Sequence, residues 1–124
     1  MKLSTLLSVV GVVATLFGIA FVAAPGQLLA QYAVTADAQT IFISRFFGAA
    51  LINLGLLLWI ARNVSDPLSR RAIVLAGLIG DAIGFVIALQ GQLAGMTNAL
   101  GWSTVAIYGL FAIGFAMQLS SKSS

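Results

Sequence analysis

The stretch AIVLAGLIGDAIGFVIALQ, residues 72–90, decides the fold. Apart from Asp81 and the terminal Gln90, every position is glycine, alanine, a branched aliphatic or phenylalanine. About 20 such residues in a helix, rising about 1.5 Å each, span the roughly 30 Å hydrocarbon core of a bilayer. A membrane β-strand would alternate apolar and polar residues at period two, and this run does not alternate. It reads as a transmembrane helix with one carboxyl group at its centre.

The rest of the chain agrees. Of its 124 residues 60% are hydrophobic and only 7% charged, with a mean hydropathy of +1.09. A soluble domain carries about a quarter charged residues, so the bilayer is the expected solvent and partner. Three further runs are long and apolar enough to cross it, about 3–24, 40–61 and 100–119. Turn signals separate the four: Pro25-Gly26, then Asn63 through Ser69 with Pro67, then Gly91 through Asn98. The expected fold is an all-α membrane protein, a four-transmembrane-helix bundle forming one domain over 1–124. Lys2 and the small residues of FVAAPG fit a cleaved signal peptide loosely. The apolar run is longer than a signal core and Pro25 follows the would-be cleavage point, so the first span is expected to be retained.

Basic residues set the expected orientation, because loops rich in Lys and Arg stay in the cytoplasm. With four spans, the N-terminus, the middle loop and the C-terminus share one side. That side holds Lys2, Arg62, Arg70, Arg71 and Lys122 against Asp66, while the other holds Asp37 and no Lys or Arg outside the helices. Both termini are therefore expected to be cytoplasmic, N-in and C-in. Trp59 then falls near the inner interface and Trp102 near the outer one, where amphipathic rings prefer to lie.

The residue types missing from the chain narrow its chemistry. There is no cysteine and no histidine, so disulfides, thiolate metal sites and the side chain that titrates nearest neutrality are excluded. Three acidic residues in total make a metal cage or a carboxylate pair improbable. A net charge of +3, scattered along the chain, does not point to nucleic acid. The expectation is a protein that is not an enzyme and holds no cofactor or metal.

Polar residues within the spans are the functional candidates. Asp81 lies ten residues beyond Arg71, about 15 Å deep and close to the midplane. Asn53 lies nine residues before Arg62, about 13.5 Å from the same face. Arg45 is two turns further outward and can snorkel. An aspartate at the midplane costs roughly 2.5–3.5 kcal/mol on insertion scales, and an ionised, unpaired one more, so the neutral acid is the expected form. Asn53 is the preferred partner at that level, ahead of Arg45, with Thr104 or Tyr108 as further contacts. Gly77, Asp81, Gly84, Ala88 and Gly91 share one helix face. Gly80 and Gly84 form a small-xxx-small pair, of the kind that lets membrane helices approach closely. Ser4, Ser8, Gly11, Thr15 and Gly18 make a similar stripe on the first helix. Both stripes are expected to be packing faces.

The chain also doubles faintly. Gly11 and Gly18 match Gly77 and Gly84 at a shift of 66, GQLLA answers GQLAG at 65, and Ser44 and Gly55 match Ser103 and Gly114 at 59. Two repeated helical hairpins would be related by an axis along the membrane normal; chance matching between Gly-rich helices is an equal alternative.

Three runs, SRFFGAALINLGLLLWIARN, SRRAIVLAGLIGDAIGF and NALGWSTVAIYGLFAIGFA, resemble small bacterial four-helix membrane proteins, broadly DoxX-like. The resemblance covers the second to fourth spans, roughly two-thirds of the chain. It rests on hydropathy together with Arg45, Asp81, Gly91-Gln92-Leu93 and Gly101-Trp102-Ser103. It implies a multi-pass protein of the bacterial inner membrane and brings no substrate with it. Members tied to redox partners would be expected to use features such as cysteines, which this chain lacks. The function expected is an accessory or structural bundle that associates with itself or with a larger membrane complex. The alternative is a small proton- or ion-linked transporter or channel working through Asp81.

Overall fold

A computed structural model describes residues 1–120 as helices joined by short connections. The order is α1 (Leu3–Ala23), α2 (Pro25–Gln31), α3 (Ala38–Ile60), α4 (Pro67–Leu93) and α5 (Gly101–Ser120), with no strand among the described residues. The four helices other than α2 are long and apolar enough to cross a membrane. Lys122, counted on the basic side of the chain, lies outside the described residues.

Three boundaries differ from the sequence reading. Pro25-Gly26 opens a short helix instead of a turn. Pro25 stands in its first turn, where a missing N–H costs nothing and the fixed φ is already helical. α2 then ends on a double backbone bond, Ala33 N to Ala30 O and Val34 N to Leu29 O, with Ala33 at φ 59°. α4 likewise begins at Pro67, not near residue 72. Asp66 is its N-cap, accepting from Ser69 N at 2.9 Å and Ser69 Oγ at 2.8 Å, and Pro67 is again in the first turn. α4 also runs on to Leu93 and stops with Gly95 at φ 75°, where Gly95 N reaches Gln92 O and Met96 N reaches Gly91 O. α3 is capped by Asp37, whose carboxylate accepts from Thr40 N at 2.7 Å.

The described chain forms two compact units, one built on residues 7–61 and the other on residues 1–6 together with the chain from Arg62 onward. In the first unit α1 and α3 run antiparallel and touch backbone to backbone. A Cβ built on Gly18 would lie 2.7 Å from the Gly48 carbonyl oxygen, and one on Gly11 2.9 Å from that of Gly55. Thr15 fits this crossing because its hydroxyl donates back to Gly11 O at 2.7 Å, leaving no unsatisfied polar group at the contact. Phe21 and Phe47 pack edge to face beside the Gly18–Gly48 approach, with centroids 5.1 Å apart.

The second unit is the antiparallel pair α4 and α5. Gly77 lies under the Phe115 ring and Gly84 under Tyr108, while Phe85 covers Gly109. Phe115 and Val74 are each 1% exposed. Leu6, at the start of α1, packs on Gly114. The stripes read from sequence are the covered sides: Gly77, Asp81, Gly84, Ala88 and Gly91 are all half-buried, while Ile79, Gly80, Ala82 and Ile83 between them are exposed. Gly80 is separate from this packing, for a Cβ there would meet nothing within 4 Å.

Candidate functional site

Asp81 stands near the middle of α4, 14 residues after Pro67 and 12 before Leu93, so about 21 Å and 18 Å from the helix ends. It is half-buried on the side facing α5, between Gly77 and Gly84. Tyr108, whose ring covers Gly84, lies within electrostatic range of the Asp81 carboxyl. Tyr108 and Thr104, the two α5 residues expected as further contacts, both lie on the helix that packs against α4. Asn53 and Arg45 belong to the other unit, and both are exposed on α3. Gly48 and Gly55 are the buried face of α3, and Asn53, two positions from Gly55, points roughly to the opposite side at about 100° per residue. The expected Asn53–Asp81 hydrogen bond would have to join the two units.

A second polar constellation was not anticipated. Gln118 on α5 is 2% exposed and is the buried polar residue of the described chain. Its Oε1 accepts from Arg70 Nη2 at 3.0 Å, and its Nε2 donates to the Met1 carbonyl oxygen at 2.7 Å. One amide thus fastens the start of α4, the end of α5 and the N-terminal segment. Burial of an amide without partners costs about 1–3 kcal/mol, and here both ends of the amide are satisfied. Arg71 and Lys2, the sequence neighbours of Arg70 and Met1, are exposed.

At the far end of the same hairpin, a third cluster is structural. Thr97 Oγ1 donates to Gln92 Oε1 at 2.8 Å, Gln92 Nε2 donates to Asn98 O at 3.0 Å, and Leu100 N donates to Asn98 Oδ1 at 3.0 Å. Gly101 sits directly against the Gln92 and Thr97 side chains, with no room for a Cβ. The Gly91-Gln92-Leu93 and Gly101-Trp102-Ser103 segments therefore close the α4–α5 connection.

The acidic groups outside the spans are tied to helix ends. The Thr40 backbone N–H beside Asp37, and the Ser69 N–H beside Asp66, hold both carboxyls below the usual carboxylate value of 3.8. Among the described residues no three His, Cys, Asp or Glu side chains gather as a metal site. No protein-family model, curated protein or solved structure matches the chain.

Proposed function

We propose that the protein is a non-enzymatic accessory bundle of the bacterial inner membrane, a multi-pass protein that associates with itself or with a larger membrane complex. Both termini face the cytoplasm in this reading. The observation that carries it is the open small-residue surface of α4. Ala72, Ala76 and Gly80 recur every four residues, all three are exposed, and a Cβ on Gly80 would meet nothing. Lipid chains gain little from such a surface, whereas a second helix gains close backbone contact. The other close approaches, at Gly11, Gly18, Gly77 and Gly84, are already used inside the chain. The polar groups Thr15, Gln92 and Gln118 likewise fasten the chain to itself.

Asp81 supports the second reading, a proton- or ion-linked transporter. Its carboxyl is half-buried at mid-helix, and no hydrogen bond acts on it among the described residues; intramembrane acids are functional candidates by default. Reconstituted vesicles separate the two. An accessory bundle gives proton and alkali-cation fluxes equal to those of empty vesicles, with Asp81→Asn indistinguishable from the parent. A flux above that background that disappears in Asp81→Asn establishes the transporter.

A further inference from the structure

Within the second unit, the charged end of α4 meets an apolar surface that the α5 packing does not use. Leu68, Arg71, Leu75, Ile79 and Ala82 recur at three- and four-residue spacing and so share one face. Leu68 is 78% exposed and Ile79 58% exposed, and Arg71 and Ala82 are exposed as well. This face differs from the Ala72–Ala76–Gly80 surface and from the Gly77–Asp81–Gly84 side. From Arg71 to Ala82 it extends for 11 residues, about 16 Å, which is the depth of one leaflet. A cationic head above an apolar strip of leaflet length is complementary to an anionic amphiphile.

Other positive groups gather at the same end of α4. Gln118 binds the Arg70 guanidinium and the Met1 carbonyl through the same amide, so Arg70 and the Met1–Lys2 segment are gathered at one point, next to Arg71. This unit carries Lys2, Arg62, Arg70 and Arg71 at this end, against Asp66. The Asp66 carboxylate is occupied by the Ser69 N–H and hydroxyl as the cap of α4. The local charge is therefore positive, and the acid present is engaged elsewhere.

We propose that Arg71 binds the phosphate of an anionic phospholipid whose acyl chain lies along Leu75, Ile79 and Ala82, with Arg70 and Lys2 adding to the positive charge at this end. Arg suits this role because its planar fork pairs two phosphate oxygens at once. The site rests on the membrane reading above and adds a ligand class to it. It is independent of whether the bundle is an accessory or a transporter.

The test is native mass spectrometry of the full chain released from micelles containing either phosphatidylglycerol or phosphatidylcholine of the same acyl chains. The expected result is retention of phosphatidylglycerol over phosphatidylcholine. Each basic residue near a membrane surface contributes about a fivefold change in affinity for anionic lipid. Arg71→Gln and Lys2→Gln should therefore each lower phosphatidylglycerol retention about fivefold. The same loss of charge at Arg45, in the other unit, should leave it unchanged, with helical circular dichroism confirming that all three variants fold. Equal retention of the two lipids by the parent protein would overturn the site. So would a loss in Arg45→Gln as large as in Arg71→Gln. A protein that retains neither lipid and does not insert into vesicles would instead overturn the membrane reading itself.

Discussion

Replacing Gly18 by alanine puts a methyl group where the structure has backbone. The new Cβ would stand 2.7 Å from the Gly48 carbonyl oxygen and 2.8 Å from the Ile52 nitrogen, where ordinary contact begins at 3.4 Å. Neither atom belongs to a flexible side chain, so α1 and α3 must separate by about 0.7 Å at this level, and a gap of that size forfeits a quarter to a half of each neighbouring dispersion contact. Overpacking of this kind costs about 1–3 kcal/mol. Alanine regains about 0.8–1 kcal/mol in helix propensity, which leaves a net loss of up to about 2 kcal/mol. Gly91→Ala supplies the reference, because a Cβ there meets nothing within 4 Å and only the propensity gain of about 0.5–1 kcal/mol remains. The two substitutions should therefore change stability in opposite directions. Reversible unfolding in mixed micelles with increasing dodecyl sulfate, followed by circular dichroism, measures both. A Gly18→Ala protein stabilised as much as Gly91→Ala would refute the close α1–α3 crossing.

Other perturbations probe the remaining features. Gln118→Leu removes the amide that joins Arg70 to Met1 and should lower stability by about 1–3 kcal/mol in the same unfolding assay; unchanged stability would show that the contact is dispensable. The first turns of α3 and α4 should loosen in acid. The Asp37 and Asp66 carboxyls titrate below their ordinary value of 3.8 when folded, so the support they give is complete above that value and is lost as pH falls through the lower folded value. Amide hydrogen exchange at Thr40 and Ser69, corrected for its intrinsic pH dependence, should speed up at pH 3 relative to pH 6, and an unchanged rate would contradict the caps. The absence of native cysteine allows single-cysteine topology mapping without background. A membrane-impermeant maleimide should label Lys2→Cys and Asp66→Cys from the cytoplasmic side, and Asp37→Cys and Gly95→Cys from the opposite side. Labelling of residues 2 and 37 from the same face would contradict the proposed topology.

Hydropathy alone made the four long helices legible, because runs near 20 apolar residues leave little choice of structure. It failed at α2 and at the start of α4 for a common reason. Proline reads as a breaker along a sequence, yet Pro25 and Pro67 both occupy first turns, where proline belongs. At α4 the polar Ser69, Arg70 and Arg71 also depress local hydropathy although they continue the helix. The glycine stripes were legible because spacing fixes a shared face. Asn53 shows what depth omits: its height in the membrane follows from counting residues, but which way it faces depends on where Gly48 and Gly55 pack. Gln118 carried no signal, since its partners Arg70 and Met1 lie 48 and 117 positions away.

The central claim is that the Ala72–Ala76–Gly80 surface of α4 meets another protein helix. Site-specific photocrosslinking in native membranes tests it most directly, with the photoreactive residue at Ala76 and, as the lipid-facing reference, at Ile79, both exposed. The expected result is a discrete protein adduct from position 76, either a second copy of the chain or one defined partner, and lipid adducts alone from position 79. Lipid adducts alone from both positions would contradict the accessory reading.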